Sequence, residues 1–161
     1  MFGTEPLVQD WLPRLLAALG AGVVIGLNRD LNHKAAGVRT HGLVALGAAL
    51  LVLVGYEVAA HEPGGGAGGM GRTMQGIITG VGFLGAGVIV RPAAGDQVRG
   101  LTTAASIWMA AAFGVGFATG AWRLTATAFG LALLVLIVGG PFERAMHRLF
   151  DRHPAKPENS S

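Results

Sequence analysis

The chain has 161 residues, of which 52% are hydrophobic and only 13% charged, with a mean hydropathy of +0.53. Soluble domains carry about 25% charged residues, so a water-facing surface is excluded for most of this chain and a bilayer is the indicated solvent. A net charge of +3 without a long basic run argues against a nucleic-acid partner, and the lack of cysteine excludes disulfides, thiolate metal sites and thiol nucleophiles.

A helix needs roughly 20 apolar residues to cross a hydrocarbon core of about 30 Å. Five stretches meet or approach this, at 7–27, 40–60, 73–90, 100–121 and 124–142. The first is the weakest. Its apolar run Leu15–Leu27 reaches spanning length only by including Trp11, Leu12 and Arg14, with Arg14 expected to snorkel to the interface beside Trp11. Glu5 and Asp10 precede it where a signal peptide would carry basic residues, so a retained helix is expected. The second extends from Gly42 to Ala60 if Glu57 sits at a headgroup boundary. Pro63 with Gly64–Gly66, and Pro92 with Gly95, mark loops on either side of the third. Beyond Pro141, Phe142, Met146, Leu149 and Phe150 fall opposite Arg144, Arg148 and Arg152, which predicts a short amphipathic helix over 143–153 on the membrane surface. Residues 154–161 read as a disordered tail. The fold class is therefore an all-α membrane protein, a bundle of five transmembrane helices plus a short C-terminal amphipathic helix.

Lys and Arg favour cytoplasmic loops. An external N-terminus places 9 of them inside and 3 outside, which predicts a cytoplasmic C-terminus. Helices already surrounded by lipid associate through close backbone approach and interhelical hydrogen bonds rather than through hydrophobic burial. Glycine pairs at four-residue spacing permit that approach. Gly22 and Gly26 form one in the first span, Gly76 and Gly80 in the third, and Gly116 and Gly120 in the fourth. Gly87 continues the third-span stripe, and Gly82 and Gly85 of that span are assigned to packing with it.

Three ordered motifs flank the loops that this orientation puts inside: AGVRT at Ala36–Thr40, GVGFLGAGVI at Gly80–Ile89 and VRGLTTAAS at Val98–Ser106. Together they resemble the MgtC/SapB family of bacterial inner-membrane proteins, over about residues 10–142. The resemblance implies a role in adaptation to low magnesium, acid or intracellular stress, and in some relatives modulation of the rotary ATP synthase. Two departures stand out. Asn28–Arg29 occupies the place of the family's usual Glu-Arg pair, leaving Asp30 as the nearest carboxylate. The small-ligand-binding domain that follows the last span in many relatives has no counterpart in the 161 residues.

The residues test the idea of magnesium transport independently. Magnesium prefers carboxylate oxygens with retained waters, and an acid in mid-membrane is functional by default. None of the nine acids falls in the middle of a span. The candidate functional cluster lies instead on the inner face: Asn28, Arg29, Asp30, Lys34, Arg39, Thr40, Arg91, Arg99, Thr102, Thr103 and Ser106. Arg39 and Arg99 each abut a span inside a motif and are expected to share Asp30 as partner, with an anionic lipid as an alternative for Arg99. Thr102 and Ser106 are expected on one face, bonding toward Gln75 or Thr79 or locally to carbonyls one turn back. His33 and His41 read as solvated loop residues. No Walker loop, HExxH or nucleophile elbow is present, so catalysis, a cofactor and a metal site are not expected. The leading reading is a stress-adaptation protein acting through membrane partners; a small cation or solute transporter, a lipid-binding scaffold and a homo-oligomer remain open.

The orientation is testable because the chain has no background thiols. With Gly3→Cys, Gly65→Cys and Ser160→Cys in intact cells, an impermeant maleimide is expected to label the first two and spare the third. Labelling at position 160 from outside would overturn the orientation.

Overall fold

The computed structural model describes residues 10–61, 67–89 and 98–150, and over these the chain forms five helices. They are α1 (Trp11–Leu31), α2 (Val38–His61), α3 (Ala67–Val88), α4 (Leu101–Ala118) and α5 (Trp122–Phe150). Four of them, all but α3, are long and apolar enough to cross a membrane by composition. Length is not what sets α3 apart, since it has 22 residues; Arg72, Gln75 and its many glycines dilute its apolar content. The expected boundaries at 7–9, the loops containing Pro63 and Pro92, and the tail from residue 151 lie outside the described residues.

The core is the three-helix junction of α1, α2 and α4, with α3 laid against α4 and α2 and α5 attached mainly to α4. Small residues make it. The α1 face carries Ala18, Ala21, Gly22, Ile25 and Gly26, and meets Ala45, Ala48, Ala49 and Val52 of α2 and Ile107, Ala110, Ala111 and Phe113 of α4. A Cβ on Gly22 would collide with the His41 carbonyl and lie 2.9 Å from Ala45 Cβ, and one on Gly26 would strike Val38 Cα. A Cβ on Gly114 would strike the Ala45 carbonyl, so α2 and α4 are equally close there. The Gly22/Gly26 pair therefore packs as its spacing predicts. Gly114 does the same work without a partner at four-residue spacing.

The other glycine assignments divide. Gly116 sits where a Cβ would run into Thr125 of α5, next to the edge-to-face pair of Phe113 and Phe129 with centroids 5.4 Å apart. Gly120 closes a turn as well as packing against Arg14. It has φ +78°, and the bonds from its amide to Phe117 O (3.1 Å) and from Ala121 N to Gly116 O (3.1 Å) close α4 in a left-handed C-terminal turn that favours glycine. On α3 only Gly85 meets a neighbour, at 3.5 Å from Ala104 Cβ. Gly76, Gly80, Gly82 and Gly87 have nothing within 4 Å of an added Cβ, so the expected α3 packing stripe is not used within the chain. Its glycines face outward or into an open groove against α2, floored by Gly47, Gly76 and Gly80.

The amphipathic segment is helical but not separate. It continues α5 through Pro141 to Phe150. Gly139 and Gly140 precede the proline, and their lack of side chains relieves the crowding that a proline ring imposes on the preceding turn. At 29 residues α5 is about 43 Å long, more than the roughly 30 Å core needs. Phe142, Leu149 and Phe150 at its end remain exposed.

These contacts reverse the ordinary expectation for a glycine stripe. Gly26→Leu is expected to cost 3 kcal/mol or about that much and to abolish a cooperative melt in detergent, because the obstruction is backbone. Gly80→Leu is expected to melt within a few degrees of wild type, and a comparable collapse would show that α3 packs more tightly than described.

Candidate functional site

Polar groups are scarce inside this bundle. Among the described residues the buried ones are Arg14, Arg29, His41, Thr103, Ser106 and Thr125. Four of these converge where α1 ends, α2 begins and α4 begins. Arg29, in the last turn of α1, donates from Nη2 to Thr103 Oγ1 at 2.6 Å. His41, in the first turns of α2 and fully buried, bonds Gly37 O through Nδ1 and Ser106 Oγ through Nε2, both at 2.9 Å. Ser106 Oγ also lies 2.8 Å from Thr103 O, which ties the two pairs together. The result is one sealed network spanning three helices.

The order of bonds constrains the histidine. A neutral imidazole has one N–H. Gly37 O can only accept, so Nδ1 donates to it, and Ser106 Oγ, with one proton to give, lies within hydrogen-bond reach of both His41 Nε2 and Thr103 O. His41 and Ser106 thereby bridge α2 and α4.

The loop between α1 and α2 is shaped around Asp30. Its Oδ2 accepts from Val38 N at 3.0 Å and so caps the N-terminus of α2, where a carboxylate is favoured by the helix dipole. A Cβ on Gly37 would overlap that carboxylate, so this glycine is what lets Asp30 reach the helix end. Ala36 beside it is buried. AGVRT is therefore a cap seat followed by the turn that carries His41 inward.

The same helix carries a second buried arginine at its other end. Arg14 donates from Nη1 to Ala118 O at 2.8 Å, filling one of the free carbonyls at the C-terminus of α4. It does not snorkel to the interface; the close approach of Gly120, whose added Cβ would lie 3.3 Å from Arg14 Nη1, leaves room for the guanidinium.

The expected cluster is thus partly assembled and partly dispersed. Arg29, Thr103 and Ser106 come together, with His41, which a reading as a solvated loop residue misses. Arg39, Thr40, Lys34, Arg99 and Thr102 are exposed, Asn28 is half-buried, and Arg91 lies outside the described residues. Asp30 bonds α2's amide, and among the described residues no hydrogen bond joins it to Arg39 or Arg99. Thr102 stands about 40° from Ser106 around α4 but is exposed, because the buried face lies on the other side of Ser106, toward Thr103, about 100° from Thr102. Thr79 bonds Gln75 O of its own helix at 2.8 Å instead of reaching α4. His33 is exposed, as expected.

Comparison with known proteins places this site in context. A match to the MgtC family covers residues 15–145. The chain belongs to the MgtC family. It is 43% identical over 136 residues to SrpB of Synechococcus elongatus, covering 79% of this chain and 75% of that protein. It is 39% identical over 133 residues to MgtC of Salmonella typhimurium, covering 81% of this chain and 54% of that protein. YhiD of Escherichia coli K12 is 37% identical over 150 residues, with 91% and 67% covered. The chain thus spans about half the length of the Salmonella MgtC protein that it matches. No solved structure matches it. In this MgtC-family chain, the first and third motifs meet in the buried network, whereas the second leaves Phe83 81% exposed.

A double-mutant cycle with His41→Leu and Ser106→Ala checks the network. Coupling of about 0.6–2 kcal/mol in the melting free energy is expected, the range for interhelical hydrogen bonds in membranes. Strict additivity would show that the bond carries no weight. Arg99→Ala, on an exposed residue, is expected to leave the melting temperature nearly unchanged.

Proposed function

We propose that this chain is a non-enzymatic inner-membrane protein that supports adaptation to low magnesium or to acid and intracellular stress. It does so by modulating membrane partners such as the rotary ATP synthase. The orientation that goes with this reading has the N-terminus external and the C-terminus cytoplasmic. One observation carries it: the division of labour between polar and apolar groups. The buried polar side chains bond helix to helix, at Arg14–Ala118, Arg29–Thr103 and His41–Ser106. Large apolar residues on α3 and α5 point outward instead, among them Phe83, Leu131, Val135 and Ile137. A bundle closed inside and apolar outside is suited to contact within the bilayer.

The name of the K12 YhiD protein describes a magnesium transporter, which makes transport the reading to test against. Among the described residues, two of the six buried polar side chains are arginines and none is an acid, a set that repels a divalent cation rather than replacing its oxygen shell.

Reconstitution separates the two. The purified chain in proteoliposomes is expected to give no magnesium flux above empty vesicles, while its expression restores low-magnesium growth to a strain lacking its own family member. Co-purification of the ATP synthase with the tagged chain is expected from the same strain. Flux from the chain alone would replace this reading with transport.

A further inference from the structure

The two buried arginines of α1 meet opposite ends of α4; Nε of each is sealed without a partner, and what separates them is the sign of the helix end that each faces. Arg14 lies against the C-terminal carbonyls, the negative end of the α4 dipole. Arg29 lies against the first turn, the positive end, because Thr103 is the third residue of that helix. Arg29 is 4% exposed, its Nε is sealed and without a partner, and its one hydrogen bond goes to a neutral hydroxyl.

Nothing described around it supplies the missing negative charge. Asp30, the next residue, is exposed and spends its carboxylate on Val38 N. The carbonyls at the end of α1 are already taken: Arg29 O by Asn32 N and Lys34 N, Asp30 O by His33 N, and Asn28 O by Asn32 Nδ2. The facing residue of α2, His41, is committed to Gly37 and Ser106. Among the described residues, no side chain caps the first turn of α4 either. Its N-cap is Gly100, which has no side chain to accept from the free amides, and a Cβ there would strike Val88 O. A helix N-terminus that no described side chain caps, beside a buried guanidinium, favours an anion.

We propose that the junction of Arg29 with the first turn of α4 binds one oxyanion of the phosphate class. The guanidinium supplies paired N–H donors, the Leu101–Thr103 turn supplies backbone amides, and the exposed Lys34 and Arg99 nearby in sequence attract the charge to this end of the bundle. The phosphate belongs either to free inorganic phosphate or to the headgroup of an anionic lipid. This site goes beyond the role in stress adaptation and does not depend on it.

The test uses the whole chain in phosphatidylcholine nanodiscs, with inorganic phosphate titrated in one arm and phosphatidylglycerol incorporated in the other, reading melting temperature and affinity. Stabilisation in either arm is expected, and the arm that responds identifies the source. Arg29→Gln is expected to abolish it. Arg29→Lys, which keeps the charge, is expected to weaken it about tenfold through loss of the planar fork, and it serves if the glutamine variant fails to fold. No stabilisation by either phosphate, or undiminished affinity in Arg29→Lys, overturns the proposal. So does an Asp96→Asn variant that creates the response where wild type has none, since that carboxylate would then be the counter-ion.

Discussion

Burying an arginine within a membrane bundle costs at least about 2.5–3.5 kcal/mol unless the protein satisfies it, and this fold is arranged around two. Arg14 and Arg29 sit on one face of α1 and each reaches across to α4, at Ala118 and Thr103 respectively. The interval from 14 to 29 equals that from 103 to 118, so the two helices run antiparallel in register over about 22 Å. That span fits inside a hydrocarbon core of about 30 Å. Inserting a single residue between Arg14 and Arg29 would turn the second arginine by about 100° toward lipid. The register of α1 on α4 is therefore fixed at both ends, and α2 is held to the same pair by His41 and Ser106.

Between these polar staples the core is built from small residues, and this follows from the solvent. Lipid solvates a leucine as well as a protein interior does, so helices gain by approaching closely rather than by hiding bulk. Ala18, Ala21, Ala45, Ala48, Ala49, Ala110, Ala111 and Ala118 are buried, while Leu43, Leu51, Leu124, Leu131 and Leu134 face outward. At three of the close contacts between α1, α2 and α4 the neighbour is backbone: the His41 carbonyl at Gly22, Val38 at Gly26 and the Ala45 carbonyl at Gly114. The close approach in turn brings short side chains such as Thr103 and Ser106 within hydrogen-bond reach of the facing helices.

The helices are legible in the sequence because span length and hydropathy depend on composition alone. Family membership is legible in three motifs. What stays hidden is helical phase. Arg14, Ala18, Ala21, Gly22, Ile25, Gly26 and Arg29 recur at helical spacing as one face, yet the known preference of arginine for membrane edges assigns the two arginines to headgroups instead. The same preference draws attention to Arg39 and Arg99, which are exposed, and away from His41, whose position at the end of a motif resembles a loop. Spacing also cannot say whether a neighbour is present. Gly22/Gly26 and Gly76/Gly80 have the same pattern, and only the first pair meets another helix.

That difference bears on how the second family motif is to be understood. GVGFLGAGVI contributes Val81 and Gly85 to the bundle, the latter against Ala104. A Cβ added at Gly80, Gly82 or Gly87 would meet nothing within 4 Å, and Phe83 and Leu84 are exposed beside them. Against lipid alone, a glycine forgoes the dispersion contacts that a larger side chain would make. The pattern thus combines flat stretches of backbone with a protruding aromatic ring on a helix whose buried residues are few. Contacts within one chain account for Ala36, Gly37 and Val38 of the first motif and Gly100, Thr103 and Ser106 of the third, and leave most of the second unexplained. The feature of the motif that needs explaining is its outward surface, so the physical question shifts from what the bundle encloses to what approaches α3 within the plane of the bilayer.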